Sequence, residues 1–184
     1  AAARALFPDS EFCQGNCTAG LPFPDHYATI VQALGWLHWE PQYREALEEL
    51  WRLTERYLFF DVRLSAAPDM ELRGEQQLAL TQPWDGETTT PYLAVAWPSF
   101  AELILGLQPT MLLGYGYWGT PAGTVIGVGQ QICFATFVLE KGSQQKKMIS
   151  PTVCVEMPLV WPSADAREVN LLPAAELDRI IPLP

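Results

Sequence analysis

The chain has 184 residues, 49% of them hydrophobic and 17% charged, and its formal net charge at pH 7 is -10. This length suits one domain with a sizeable core, and the composition is that of a globular protein. The acidic balance argues against nucleic acid and anionic membranes as partners, because both need clustered Lys and Arg. No apolar run reaches the roughly 18 residues of a bilayer-spanning helix, so no membrane segment is expected.

The four cysteines are Cys13, Cys17, Cys133 and Cys154. Cys13 and Cys17 are spaced C-x3-C, but no second cysteine pair follows and neither histidine lies at ligand spacing, so no metal site is predicted. Cys133 lies in the apolar run ICFATFVL, where a free thiol behaves as a small hydrophobic side chain. The pattern favours reduced thiols in a cytoplasmic protein.

The first half of the chain alternates short strands with one amphipathic helix. Pro41 suits the first turn of a helix that runs to about Glu55, because apolar residues recur there at helical spacing. The stretch YATIVQAL is mostly apolar on both faces, as in a buried parallel strand. The other elements predicted in this half are a helical turn at Ala1–Leu6 and strands at Glu11–Gln14, Tyr27–Leu34 and Tyr57–Leu64.

The second half begins with a long polar excursion over Ser65–Thr90, of the kind that often forms a lid or binding loop. We expect within it a short helix or edge strand at Leu72–Leu80. From Lys141 onward the chain is Pro-rich, and we expect it to be irregular. The remaining predicted elements are a helix at Ser99–Leu107, an antiparallel strand pair at Met111–Trp118 and Gln131–Glu140, and a helical turn at Ala174–Ile181.

Alternating strands and helices predict an α/β fold with a three-layer sheet. Two parts are expected: an α/β domain over residues 1–142 and a Pro-rich extension over residues 143–184 packed on it.

Two stretches of the first half carry a resemblance to a known family. SEFCQGNCTAGLPFPD holds a Gly15-Asn16 turn and a Leu-Pro-Phe-Pro-Asp turn, and the next strand is followed by Leu-His-Trp-Glu-Pro before the helix. This order resembles the middle of class I S-adenosylmethionine-dependent methyltransferases of the small-molecule, type 11-like kind. The resemblance covers roughly Ala1 to Gly142. It implies a Rossmann-like sheet, mostly parallel, with an antiparallel edge pair.

The family's glycine-rich turn and the acidic residue that holds the ribose would both precede Ala1. The resemblance therefore implies a sheet that is N-terminally incomplete, which a missing N-terminal segment or a partner chain would complete. It also implies that the chain alone binds the cofactor poorly or not at all.

The resemblance implies S-adenosyl-L-methionine as the cofactor. Asn16 would stand where the family usually has Asp, beside the adenine amino group, and the N–H of Cys17 would donate to an adenine ring nitrogen. Leu34, Gly35 and His38 would lie near the methionine end. A purely structural interpretation stays open, because Gly-Asn after a strand makes a good turn and a lone histidine is more often structural than catalytic.

The small-molecule acceptor would lie against aromatic side chains, for which Trp84, Tyr92 and Tyr117 are the candidates. Aromatic residues in strands are more often part of a core, so this alternative stays open. Asp61 and Arg63 alternate around one apolar residue at the end of the third strand. We expect them to pair with each other, since buried charges need partners, although a substrate contact is the sharper hypothesis.

Methyl transfer to a small-molecule acceptor is the leading hypothesis. Because it is an in-line displacement, positioning and desolvation can supply most of the catalysis without a general base. The alternative is a non-catalytic methyltransferase-like subunit or degenerate relative that binds a protein partner. A nucleotide-dependent oxidoreductase of similar architecture fits least, because the pairing of Leu-Pro-Phe-Pro-Asp with Leu-His-Trp-Glu does not indicate one.

Overall fold

A computed structural model describes residues 2–67, 71–78, 88–142, 151–162 and 170–172. Single-turn 3-10 helices occur at Cys17–Ala19 and Leu37–Trp39. The α-helices are α1 (Ala2–Leu6), α2 (Tyr43–Leu53) and α3 (Trp97–Gly106). The strands are β1 (Ala28–Ala33), β2 (Thr54–Ser65), β3 (Leu72–Gln77), β4 (Thr89–Ala96), β5 (Met111–Gly119), β6 (Val125–Ile126), β7 (Ile132–Glu140), β8 (Thr152–Glu156) and β9 (Asn170–Leu172).

The twelve-residue strand β2 lies at the centre of the sheet. One of its edges pairs with β7 in antiparallel register from Tyr57 to Leu64. Its other edge is divided between two parallel neighbours, because β1 pairs up to Phe60 and β4 pairs at Leu64 and Ser65. Beyond β7 the sheet continues through β5, β8 and β9, and beyond β4 it continues through β3 and β6.

The prediction of a three-layer, mostly parallel, Rossmann-like methyltransferase sheet is wrong. The described part is mainly β, and four of its eight strand pairs are antiparallel. Only the β1–β2 pair joins consecutive parallel strands through a helix within the described residues. The antiparallel pair predicted for a sheet edge is interior, since β7 lies between β2 and β5 and β5 also pairs with β8. No helix in the described part is long and apolar enough to cross a membrane.

Several individual elements are confirmed. The strand–helix–strand unit of β1, α2 and β2 forms with its strands adjacent and parallel. Strands β5 and β7 pair antiparallel over nine residues, as their patterns predict. Helix α3 begins two residues before the predicted start, with Pro98 in its first turn.

Other predictions fail or fall outside the described residues. The segment Glu11–Gln14 is not a strand. Strand β1 is not buried on both faces, because only β2 pairs with it among the described residues and Ile30 is 54% exposed. The tail expected to be irregular contains β8, which extends the sheet beside β5. The helical turn predicted at Ala174–Ile181 lies outside the described residues.

Both longer helices pack on the same face of the sheet. Alternate residues of β2 point to that face, where Leu58, Phe60, Val62 and Leu64 are fully buried. The rings of Phe60, Phe100 and Phe137 lie within 6.0 Å of one another, centre to centre, and join β2, α3 and β7. Helix α2 adds its apolar stripe to the same core: Tyr43, Ala46, Leu47, Leu50 and Trp51.

The opposite surface of the sheet is here called the open face. Near β4 it carries a small second cluster of buried residues: Tyr92, Ala94, Val128 and Ile132. Away from that cluster it is much less covered. Residues that alternate with the core positions point to it. Of these, Ile30, Tyr115 and Tyr117 are 54%, 57% and 55% exposed, and Phe59 and Val138 are half-buried. An apolar sheet face this exposed is typical of a surface that another element or chain covers.

Two glycines of β5, Gly114 and Gly116, let core side chains pack directly against the backbone of that strand. A Cβ built on Gly114 would lie 2.8 Å from the ring of Phe137 and 3.3 Å from Val155. We expect Gly114→Ala to reduce the free energy of unfolding by about 1–3 kcal/mol, because an added methyl group overpacks this site. Chemical denaturation followed by fluorescence measures the change.

The matched control is Gly106→Ala at the end of α3, where a new Cβ meets nothing within 4 Å. Alanine there should leave stability unchanged or raise it by up to about 1 kcal/mol. Equal destabilisation by both substitutions would contradict the packing described for β5.

Candidate functional site

A pocket of about 520 Å³ lies beside the carboxyl end of β1. Three segments form it: the loop before β1, the end of β1 with the turn that follows, and the inner side of α2. Ligands of open sheets with parallel strands bind outside the carboxyl ends of those strands, so the position suits a binding site. The lining residues are Cys13, Gly15, Asn16, Cys17, Leu21, Phe23, Gln32, Ala33, Leu34, Trp36, Glu40 and Leu50.

The structure brings three of the five cofactor residues implied by the resemblance to this pocket. Asn16, Cys17 and Leu34 line it, although they come from two separate segments. Gly35 adjoins the lining without forming part of it, and His38 is buried elsewhere.

Asn16 has the structural role that its turn pattern indicated. Its side-chain Oδ1 accepts from the backbone N–H of Thr18 at 3.1 Å and from the Thr18 hydroxyl at 3.0 Å. It thereby caps the 3-10 turn Cys17–Ala19. Because an amide has two further N–H donors, Asn16 can hold the turn and still offer hydrogen bonds to a ligand.

Cys17 lies half-buried between the pocket and α2. Its thiol donates to the carbonyl of Ala46 at 3.5 Å. Burial, followed by the carboxylates of Glu49 and Glu40, raises the pKa of Cys17 to about 11. The thiol therefore stays protonated near neutral pH and is a poor nucleophile.

The turn after β1 is held by a charged pair on β2. The backbone N–H of Gly35, which has a φ of 71°, donates to Oδ1 of Asp61. The other carboxylate oxygen of Asp61 accepts from Nη1 of Arg63 at 2.8 Å, which confirms the expected pairing. Arg63 also lies 4.5 Å above the ring of Phe134. Asp61 thus fixes the turn that carries Leu34 and Trp36 into the pocket.

His38 belongs to a buried cluster on the other side of that turn. It is 5% exposed, and its ring lies 4.9 Å from Trp39 and 5.3 Å from Tyr92, centre to centre. Burial, reinforced by the nearby charge of Arg63, lowers the pKa of His38 to about 4. The imidazole is therefore neutral at pH 7. Its position in the core is that of a structural residue.

The three predicted acceptor residues do not gather around the pocket. Tyr92 is buried against His38, and Tyr117 is exposed on the open face with its ring stacked on Phe134 at 5.6 Å. Trp84 lies outside the described residues. Burial raises the pKa of Tyr92, and the nearby charge of Arg63 partly offsets this effect. Arg63 also lies over the ring of Phe134, on which Tyr117 stacks.

Several lining residues carry no sequence pattern that indicates a binding role. Gln32 and Glu40 add an amide and a carboxylate, while Leu21 and Phe23 add an apolar wall. No Lys or Arg lines the pocket within the described residues. Both Gln32 and Ala33 line the pocket, although the strand period of β1 places their side chains on opposite faces of the sheet.

No protein-family model matches this chain, and no curated protein matches it. The resemblance to methyltransferases therefore depends on the short segments around Asn16 and His38.

The buried position of His38 predicts a pH dependence of stability. The folded protein keeps this side chain neutral down to about pH 4, whereas an unfolded chain protonates it below about pH 6.5. Between these values the unfolded state binds more protons, so the stabilising effect is complete above pH 6.5 and is lost as pH falls toward 4. The slope is at most about 1.4 kcal/mol per pH unit.

Urea denaturation of the wild type and of His38→Gln between pH 7.5 and 4.5 measures this effect. Glutamine does not titrate, so the difference in unfolding free energy between the two proteins should change over this range, with the wild type losing more. A constant difference would contradict the assignment.

Proposed function

We propose that the pocket beside β1 binds the adenosyl part of S-adenosylmethionine, and that the chain takes part in methyl transfer to a small-molecule acceptor. The observation that carries the proposal is the convergence of Asn16, Cys17 and Leu34 on one pocket. The resemblance to methyltransferases implies these three residues, which are separated by up to 18 positions along the chain.

The composition of the pocket suits a nucleoside. An adenine ring needs apolar surface on its faces and hydrogen-bonding groups at its edge, as ligand sites generally do. Leu21, Phe23 and Leu34 supply apolar surface, and the side-chain amide of Asn16 supplies hydrogen-bonding groups. A volume of about 520 Å³ is within the range of small-molecule sites.

The charge of the lining favours a cofactor without phosphate groups. Phosphate recognition depends on Arg, Lys or a helix N-terminus, and among the described residues Glu40 is the only Asp, Glu, Lys or Arg in this lining. S-adenosylmethionine carries a sulfonium cation and no phosphate, so Glu40 favours it over adenine nucleotides or dinucleotides.

The cofactor would supply an electrophilic methyl group, and the acceptor would attack its carbon in line. The chain's own contribution under this proposal is to hold the adenosyl group and to exclude water. Neutral His38 lies in the core, so we assign it no proton transfer. The cytoplasm remains our proposed compartment, in agreement with the four free thiols.

Titration with S-adenosylhomocysteine tests the proposal, with Asn16→Ala and Asn16→Asp as a matched pair. Both Asn and Asp cap the turn, whereas Ala does not. We expect Asp to retain or improve binding, since its carboxylate accepts from the adenine amino group. Ala should weaken binding about two- to twelvefold, the value of one hydrogen bond.

The titration is run at up to millimolar ligand, since weak binding is expected, and adenosine and adenosine monophosphate are compared in the same way. Adenosine should bind more tightly than its monophosphate, because the lining offers no cation. A wild-type chain that binds neither S-adenosylhomocysteine nor adenosine would contradict the proposal, as would tighter binding of the monophosphate.

A second candidate function is partner binding without catalysis. A specific observation favours it: β1 has a free edge in the described part, and Tyr27, Ile30 and Leu34 beside that edge are 52–56% exposed. Strand β1 carries no charge and no proline, the features by which proteins usually protect such edges. A strand from a partner chain or from another segment would complete the sheet there. Failure of the ligand titration would leave this candidate as the better one.

A further inference from the structure

The apolar wall of the pocket is formed by a loop without regular secondary structure. Leu21 and Phe23 lie in this loop, between the 3-10 turn Cys17–Ala19 and β1. A loop of this kind needs contacts from elsewhere to hold two side chains in fixed positions. Those contacts come from the last turn of α2.

Arg52 supplies most of them, and its guanidinium makes five hydrogen bonds. Nη1 donates to the carbonyl of Phe23 and to Oδ1 of Asp25, both at 2.8 Å. Nη2 donates to the carbonyl of Leu21 at 3.2 Å and to Oε1 of Glu49 at 2.7 Å, and Nε donates to Oε2 of Glu49 at 2.7 Å. All five N–H donors of the side chain are therefore used.

Glu49 completes the connection to the loop. Its Oε1 also accepts from the backbone N–H of Leu21 at 2.6 Å, so the Glu49–Arg52 pair binds both the N–H and the carbonyl of that residue. The backbone of Arg52 contributes as well, because its carbonyl accepts from the N–H of His26 at 2.9 Å.

A simple surface ion pair is the plainer explanation of Glu49 and Arg52, and such pairs contribute little to stability. It does not account for the two contacts from the guanidinium to loop carbonyls. The planar guanidinium has five donors, so it can contact both loop carbonyls and still form a bidentate pair with the Glu49 carboxylate. A lysine ammonium has three donors and cannot make all of these contacts in this geometry.

We propose that Arg52 is a positioning residue for the pocket, which holds Leu21 and Phe23 in place for an adenosyl ligand. The ligand part of this inference rests on the function proposed above. Two carboxylates neutralise the guanidinium, so Arg52 shapes the wall without offering a positive charge to a phosphate group.

Thiol labelling tests the positioning without any ligand. Cys17 is half-buried and lines the same pocket as Leu21 and Phe23, whereas Cys133 is buried in the core. In Arg52→Lys and Arg52→Ala, site-resolved alkylation of Cys17 should become several-fold faster than in the wild type, with Cys133 unchanged. The control Arg44→Ala removes an exposed cation from the same helix and should leave both rates unchanged.

Binding of S-adenosylhomocysteine to the same variants tests the functional part, at a temperature where denaturation curves show each one folded. We expect Arg52→Lys to bind on the order of tenfold more weakly than the wild type. Arg44→Ala should bind normally, and Asp25→Asn should lose little because Asp25 is largely exposed.

The outcomes separate the two ideas. Unchanged labelling of Cys17 in both Arg52 variants would overturn the positioning role, and so would normal ligand binding by Arg52→Lys. If Cys17 is labelled faster in the Arg52 variants but the wild type binds no S-adenosylhomocysteine, Arg52 holds the pocket wall and the proposed function is overturned.

Discussion

The division of one edge of β2 is the constraint on which the rest of the structure depends. Along that edge β1 pairs up to Phe60 and β4 begins at Leu64, so the edge has no strand partner from Asp61 to Arg63 within the described ladder. Asp61 instead accepts from the backbone of Gly35, where the chain leaves β1. In this part of the edge, the Asp61 carboxylate therefore provides the hydrogen bond that a neighbouring strand would otherwise make. The turn that it holds carries Leu34 and Trp36, which form one wall of the pocket.

The two faces of the sheet have different roles because successive side chains of β2 and β7 alternate between the helix face and the open face. Core positions such as Phe60 and Phe137 meet α2 and α3 and are fully buried, whereas the intervening positions reach the open face. The helix face therefore holds most of the large, fully buried side chains of the described part. The open face retains exposed Tyr115 and Tyr117 beside Arg63 and Phe134, a surface well suited to contact with another element or chain.

Local periodicity is sufficient to predict the strand–helix–strand unit around α2 and the antiparallel pairing of β5 with β7. The residues that define the apolar stripe of a helix, or the alternation of a strand, lie within a short stretch of sequence, so each pattern can be recognised locally. The order of the sheet was not predictable in this way, because β8 in the Pro-rich tail joins β5 across about 40 residues. Long-range pairing of that kind leaves no local pattern.

The candidate site was predicted to a similar extent. Asn16 and Leu34 were identified from segment order, and the structure brings both to the pocket. On helical spacing alone, Arg52 would pair with Glu48, four residues before it. It pairs instead with Glu49, because the loop before β1 passes beside that turn of α2 and offers its carbonyls there. Helix periodicity alone does not reveal which loop covers a helix end.

Backbone amide NMR of the nitrogen-15-labelled chain during titration with S-adenosylhomocysteine tests most directly whether the pocket beside β1 is the adenosyl site. The largest chemical-shift changes should fall on the two walls of the pocket, at Asn16, Cys17, Leu34 and Gly35. The amides of Tyr115 and Tyr117 on the open face should not move. Changes concentrated on the open face, or an unchanged spectrum at millimolar ligand, would contradict the assignment.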